Sequence, residues 1–554
     1  AEDAEGVVWA LSEAGVHRVV GGEPRRPSVL PVEGERSTLA PIVLHVDRAQ
    51  TVWVGTVWGV FMHQRARKAF HHLEHVPDDP NSLSSGLVAS LAEASDGSIW
   101  MGTIGGGLNR WDRRTGLVER FGHRSGDPSS LADDVVWDLE IDGDGTLWVA
   151  TGNGLSRLRA GSRTFRTFRP GSPTDALGLG SSPMVIHDLQ MDDDERLWLA
   201  CATKCGDGLA WFDPVSGSFR GLASEGPRRP GYTGLAPDGT IWVGTADGID
   251  LVDPGTGRRT ALPDGSGLDG ALAFHFSPDG GAWVGANSGL YRFGPDHRLV
   301  SRYSAEDGLP SNAVYGVLED ERRRLWLSTN RGLAVIDPDE PWPDRVRAYD
   351  LSTGLVNVEF NRNAFLEARD GTFIFGGDKG LTWFHPGRIR DNPYAPPVVV
   401  TAFERAGAGE GSRESLGPAA SVRVDAADHT FGFEFAALSY VNPHRNRYRT
   451  MLEGFDDGWR DLGTAGRVTY TNVPPGRYVF RVEGANEDDV WGEGEGKVVV
   501  VVEPWLWETA WFRTLALLLL AGSVAAVAVL LSRARYRAEL SRVRAEGALQ
   551  RERA

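Results

Sequence analysis

One unit recurs nine times between residues 9 and 374, and it limits the fold more than any other feature of the chain. It reads acidic residue, Gly, any residue, apolar, Trp, apolar, two small residues, two loop residues, Gly, apolar. Clear copies are Asp96-Gly97-Ser98-Ile99-Trp100-Met101-Gly102-Thr103, Asp144-Gly145-Thr146-Leu147-Trp148-Val149-Ala150-Thr151 and Asp238-Gly239-Thr240-Ile241-Trp242-Val243-Gly244-Thr245. The Trp falls at 9, 53, 100, 148, 198, 242, 283 and 326, with Ile374 in the ninth copy, so the gaps run from 41 to 50 residues. Asp-Gly between apolar runs is a tight-turn signal, because the turn needs positive φ. Leu147-Trp148-Val149 is a short run of good strand formers. The second Gly-apolar pair, as in Gly154-Leu155 or Gly332-Leu333, opens a further strand. A third turn follows, as in Asp253-Pro254-Gly255-Thr256-Gly257. Three turns per unit imply four strands, and a repeated four-stranded unit of this length describes a β-propeller blade. The Trp is expected to anchor the core between blades. The copies from Trp100 to Ile374 number seven, a common ring size. Those at Trp9 and Trp53 are expected to be the remnant of an earlier propeller. The alternative is one larger ring.

The expected organisation is therefore all-β over most of the chain: remnant blades at 1–75 and a β-propeller at 76–390. The period stops after His385-Pro386. From 396 to 503 about seven strand-like runs, among them Pro397-Val398-Val399-Val400-Thr401-Ala402-Phe403 and Thr430-Phe431-Gly432-Phe433-Glu434-Phe435, suit an immunoglobulin-like β-sandwich. Thr514 to Ser532 holds no charge, and Trp505, Trp507 and Trp511 precede it as an interfacial belt would. This predicts a transmembrane helix over 511–532. Arg533, Arg535, Arg537, Arg542 and Arg544 follow, so the C-terminus is expected in the cytoplasm and the preceding region in the periplasm of a bacterial inner membrane. Residues 533–554 read as the start of a cytoplasmic helical or coiled-coil stalk. The acidic opening Ala1-Glu2-Asp3-Ala4-Glu5 does not resemble a signal peptide, which reads as a removed start or a fragment.

Charge and motifs narrow the function. With 58 basic and 75 acidic side chains the formal charge is −17, which disfavours nucleic acid. No catalytic constellation and no cofactor-binding loop stands out. His71, His72 and His75 form the densest histidine cluster, read as a surface loop more readily than as a metal site. Asp192-Asp193-Asp194 and Asp142-Gly143-Asp144 read as turns, without the glutamate a calcium loop needs. One blade carries an insertion: Trp198 is ten residues from Gly208, where six is usual. The insert holds Cys201, Lys204, Cys205 and Asp207. Cys201 and Cys205, the chain's two cysteines, are candidates for a small disulfide. Lys204 and Asp207 are candidate ligand contacts on a rim loop; the alternative is a decorative insertion.

The repeats resemble those of two-component regulator propeller proteins. Asp79-Pro80-Asn81-Ser82-Leu83-Ser84, Gly308-Leu309-Pro310-Ser311-Asn312-Ala313-Val314 and the stretch Phe375 to Pro386 carry the likeness. The sandwich resembles the Y_Y_Y domain through Leu438-Ser439-Tyr440, Asn446-Arg447-Tyr448, Leu452-Glu453-Gly454-Phe455-Asp456, Trp459 and Tyr470 to Tyr478, with Thr450 where the family has tyrosine. The resemblance implies the periplasmic sensor of a hybrid or related histidine kinase, less often of a diguanylate cyclase. It implies a glycan or other small-molecule ligand and a homodimer across a single membrane span. The competing expectations are a tethered propeller lyase or glycosidase, and a scaffold for a protein partner.

Overall fold

The computed structural model describes residues 8–552 apart from 13–14, 21–22, 26–40, 58, 65–68, 171–183, 202–207, 223–229, 247, 266–267, 341–344, 406–411, 418–419, 427, 493 and 495. The chain divides into two compact units, Arg67–Arg390 and the pair of segments Ala1–Ala66 with Asp391–Ala554.

The first unit holds seven four-stranded antiparallel sheets. Their innermost strands are Val88–Glu93, Val136–Ile141, Ile186–Met191, Pro230–Leu235, Ala271–Phe276, Val314–Glu319 and Phe360–Glu367. Each packs on the next, and the seventh packs on the first, so the sheets form a closed ring of seven blades around a channel. The seventh blade is completed from the other end of the unit. His71–Leu73 pairs with Gly380–Phe384, matching Leu73 to Leu381, His72 to Thr382 and His71 to Trp383. These three residues, expected in the remnant, belong to the ring.

The blades are held at seven apolar seams, and the repeated aromatic sits in the seam with the following blade. Trp148 packs with Leu199 and Phe212 of the next blade, Trp198 with Val243, and Trp326 with Phe373 and Phe384. Ile374 closes the series against Met101. A hidden partner fixes the indole. In four copies an Asp six residues before the Trp accepts its N–H: Asp47 from Trp53 at 2.8 Å, Asp142 from Trp148 at 3.0 Å, Asp192 from Trp198 at 2.8 Å and Asp320 from Trp326 at 3.0 Å. The same carboxylate accepts backbone N–H groups of the tight turn, as Asp192 does from Asp194 and Arg196. In the fourth blade of the ring this position is Ala236, and the buried Trp242 N–H has no partner. Asp192→Ala should therefore lower stability by about 1–3 kcal/mol, the range for orphaning a buried donor. Ala236→Asp should raise it by about 1 kcal/mol. Thermal unfolding of the two variants checks both signs; equal shifts in one direction would refute the pairing.

In the second unit, Val8–Ser12, Gly15–Val20 and Glu23–Arg25 form one three-stranded sheet, and Pro41–Val46, Thr51–Thr56 and Gly59–Gln64 form another. A β-sandwich follows. One sheet has the order Ser412–Ser415, Val398–Arg405, Thr430–Ala437, Arg467–Thr471. The other has the order Ser421–Val424, Gly496–Val502, Gly476–Ala485, Arg447–Glu453, Arg460–Gly463. Alternating apolar residues meet between them, with Phe433 stacked on Phe480 at 4.1 Å between ring centroids. Three motif tyrosines, Tyr448, Tyr470 and Tyr478, bury their rings and satisfy their hydroxyls locally, whereas Tyr440 is exposed. Tyr478 donates to the Pro474 carbonyl at 2.9 Å, Tyr470 donates to Asp456 at 3.2 Å, and the Tyr448 oxygen accepts from the Ala437 N–H. Thr450 is fully buried on the strand Arg447–Glu453.

The chain ends in one uninterrupted helix, Ala510–Glu552, of 43 residues, about 65 Å at 1.5 Å per residue. It is long and apolar enough to cross a membrane. Leu517, Leu518, Leu519, Leu520, Val524 and Leu530 are each more than half exposed, so nothing among the described residues covers them. The helix continues without a break into the arginine-rich segment.

Candidate functional site

Every inner strand of the ring carries a register irregularity near its start, which turns the residues there out of the sheet pairing. Inside these irregularities lie Ala89, Trp137, His187, Tyr232, Leu272, Tyr315 and Arg362. The blades share one strand order, so these residues ring one mouth of the channel. Five of the seven are aromatic or cationic, and none of the five is fully buried.

The rings form two groups. Trp137 lies 5.1 Å from His187 between centroids. Arg362 lies over the Tyr315 ring at 5.5 Å and donates to the Tyr232 hydroxyl. The seventh blade supplies most of the crossing contacts, because its irregularity spans four residues, Asn361 to Ala364, where the other blades have one or two. Asn361 donates to the Val88 carbonyl at 2.8 Å, in the first blade. Asn363, held at φ 57°, donates across the channel to Asp188 of the third blade at 2.5 Å. Left-handed backbone suits asparagine better than most residues, and it re-aims this side chain inward.

Below the rings sits a carboxyl pair, Asp138 and Asp188, in direct contact and almost fully buried. The Leu189 N–H donates to Asp138 at 2.7 Å. The Thr233 N–H donates to Asp188 at 2.7 Å, and the Thr233 hydroxyl donates to the same oxygen. Burial and mutual repulsion push Asp138 well above the usual carboxylate range, and burial raises Asp188. Burial also lifts nearby Glu140 to about 7 and Tyr232 to about 12, and lowers His187. Burial and like charge thus both oppose full ionisation of the pair.

A second concavity lies at the seam of the first and seventh blades. It is a cleft of 1190 Å³ lined by Arg110, Trp111, Arg113, Arg369, Asp370 and Trp383, among others. Two of its arginines are paired, Arg113 with Asp370 at 2.8 Å and Arg110 with Asp96, and Arg369 donates to the Ala94 carbonyl. The channel mouth, where Arg362 has no carboxylate partner among the described residues, is the better candidate for a ligand.

The residues singled out from the sequence lie elsewhere. Cys201 is disulfide-bonded. Cys205, Lys204 and Asp207 lie outside the described residues. His71 and His72 lie on the strand that closes the ring, not on a surface loop. His71 stacks on Trp383 at 4.2 Å, His72 bonds to Thr382 and to the Gly354 carbonyl, and His75 bonds to the Leu83 carbonyl. Their nitrogens do not converge. The mouth residues were missed because they sit outside the repeated unit, just before it in each copy. A signal was available: in five of the seven inner strands the second position varies among Ala89, Trp137, His187, Leu272 and Tyr315, while the residue before it stays apolar (Val88, Val136, Ile186, Ala271 and Val314).

Comparison with known proteins agrees with this architecture. The Y_Y_Y domain profile matches residues 439–503, and the two component regulator propeller profile matches 130–153 and 308–331. The chain is 28% identical over 319 residues to "Histidine kinase P4" of Formosa agariphila, a match covering 54% of this chain and 23% of that protein. The chain thus spans about a quarter of the length of the curated relative it matches. The extracellular domain of the hybrid two-component system BT3049 of B. thetaiotaomicron is similar in structure, with a TM-score of 0.74 and 20% identity over 91% of this chain and 67% of that one. The chain carries two-component regulator propeller repeats and a Y_Y_Y domain, in a fold shared with an extracellular sensor region.

Proposed function

We propose that this chain is the ligand-sensing region of a bacterial transmembrane two-component receptor, with the channel mouth as its ligand seat and a cytoplasmic histidine kinase as its output. The observation that carries this is the helix Ala510–Glu552, which leaves the sandwich, is fully exposed where it is apolar, and runs unbroken into a cluster of arginines. A propeller and a sandwich on one side of a bilayer can influence the other side only through such a rod.

The seat is suited to the task. Arg362 and Asn363 stand on the inner strand of the seventh blade, and that blade is the one the chain leaves to enter the sandwich. Both side chains reach other blades, so a ligand that competes for them alters the restraint on this last blade. A ligand need favour one arrangement by only a few kcal/mol to move a receptor dimer between states. The ligand is a small polar molecule, a sugar or oligosaccharide being the leading class. Lys204 and Asp207 on the inserted rim loop, with a Cys201–Cys205 disulfide, are proposed to add to its contacts.

Labelling tests the topology. Val215, 96% exposed, should react with a membrane-impermeant thiol reagent in intact cells once replaced (Val215→Cys). Ser541→Cys on the arginine-rich segment should react only after permeabilisation. Equal reactivity at both sites would overturn the receptor reading.

The Asp138–Asp188 pair favours one second reading, a tethered lyase or glycosidase, because a protonated carboxyl in a channel can serve as an acid. Against it, the oxygens of the pair are already held by Leu189, Thr233 and Asn363. Ligand recovered chemically unchanged after binding separates a sensor from an enzyme.

A further inference from the structure

The hydrogen-bonding capacity left open at the channel mouth is one-sided. The acceptors beneath it are taken. Asp188 receives Asn363 on one oxygen and both the Thr233 N–H and hydroxyl on the other, and Asp138 receives the Leu189 N–H. The donors are not taken. The Trp137 indole N–H has no partner among the described residues, but it is buried, so the donor that faces the mouth is Arg362. Arg362 is exposed, and among the described residues it meets only the Tyr315 face and the Tyr232 hydroxyl. A guanidinium has five N–H donors in a rigid fork, so most of its capacity is unused.

A neutral polyol brings donors and acceptors in equal measure and would find few acceptors here. An anion brings acceptors only. Among the described residues of the mouth Arg362 is the cation beside the rings, and it sets the local field there. Burial disfavours ionisation of the carboxyl pair, which limits the negative charge beneath the seat. Trp137, tilted against His187, offers an apolar surface of the size of a sugar ring.

We propose that the channel mouth binds a small ring compound bearing a carboxylate or a sulfate, the anion paired with Arg362 and the ring lying against Trp137. This rests on the mouth being the sensor's ligand seat. The shared chemistry is a compact anion with two or three coplanar acceptor oxygens, which a guanidinium fork engages bidentately.

Calorimetric titration of the full chain in detergent with glucuronate, glucose 6-sulfate and glucose tests it. At least one acidic probe should bind roughly tenfold more tightly than glucose, and raised ionic strength should weaken it. Arg362→Gln should abolish that preference, and because Arg362 is exposed the fold should survive. Trp137→Ala should weaken every probe that binds. The stronger of the two acids identifies the anion. If glucose and the acids bind alike and Arg362→Gln changes nothing, the anion assignment falls, while a loss in Trp137→Ala still places the ligand at the mouth. If neither substitution changes binding, the seat lies elsewhere and both readings fall. No heat from either acid at about 10 mM, a concentration that would reveal even millimolar affinity, also overturns the anion assignment.

Discussion

Gly380→Ala should open the propeller at its closing seam and lower its stability by about 3 kcal/mol or more. Gly380 starts the third strand of the seventh blade at φ +100°, a conformation that costs an L-residue about 1–2 kcal/mol. Space makes the position worse. A β-carbon there would overlap the Leu73 carbonyl oxygen and stand 3.0 Å from the Glu74 α-carbon. Both are backbone atoms at the end of the closing strand, so no side-chain rotation relieves the clash, and overpacking of this kind adds about 1–3 kcal/mol. His71–Leu73 has only three paired residues to resist displacement. Phe70 would move with it, losing edge contacts to Phe384 at 5.0 Å and Tyr349 at 5.5 Å. Gly97→Ala is the control. Gly97 has φ +81°, but a β-carbon there meets nothing within 4 Å, so only the backbone penalty applies. Thermal melts of the two variants should differ by several degrees, and amide exchange at 71–73 should rise only in Gly380→Ala. Equal losses would mean that the seam is not strained by the added carbon.

Why a closing strand was not legible in the sequence follows from its size. His71-His72-Leu73 lacks an alternating pattern, and its partner strand lies some 310 residues away in the chain, as the His72–Thr382 bond shows. The repeat, by contrast, was legible because each blade solves the same packing problem with the same Trp. The tight turns show the same contrast. Gly97, Gly145, Gly239, Gly280 and Gly371 mark positive φ openly, whereas Glu195 and Arg323 occupy the same turn position in two other blades without a glycine to announce it. The channel mouth was hidden for the opposite reason. A repeat is read by what stays constant, and Trp137, His187, Tyr232, Tyr315 and Arg362 are the positions that vary. Their meaning appears only when the ring brings five blades to one level. The carboxyl pair is similar: Asp138 and Asp188 are fifty residues apart in the chain and look like ordinary polar strand residues until adjacent blades bury them together.

The buried carboxyls give the propeller an unusual pH response, and Asp188→Asn should remove part of it. Asp138, Asp188 and Glu140 hold their protons more tightly in the folded state than in the unfolded chain. Their contribution to stability is therefore fully present below the unfolded-state values, near pH 4, and is lost as pH rises through the folded-state values, which reach about 7 for Glu140. Each unit of upward shift is equivalent to about 1.4 kcal/mol once the group is ionised. Turn carboxylates act in the other direction. Ser98 holds Asp96 below the usual range, Ser129 does the same for Asp127, and Thr256 for Asp253, so what they contribute is lost only in acid, below about pH 4. The two windows barely overlap, and a melt series from pH 5 to pH 8 reads the buried carboxyls less the opposing gain from His187 and His71, which burial lowers. The wild-type melting temperature should fall across that series by roughly 5 °C or more. Asparagine at 188 keeps an acceptor for Thr233, and its amide can donate to an ionised Asp138. Asn363 can turn its carbonyl toward the new amide, so the cross-channel bond survives. Asp188→Asn should match the wild type near pH 5 and exceed it at pH 8. A parallel fall in both proteins would show that general charge repulsion in this acidic chain, and not the buried pair, sets the slope. A flattened profile would instead show that the channel floor relaxes as its carboxyls ionise. In that case the ligand seat above it is held most firmly in mild acid, and binding at the mouth should tighten as pH is lowered toward 5.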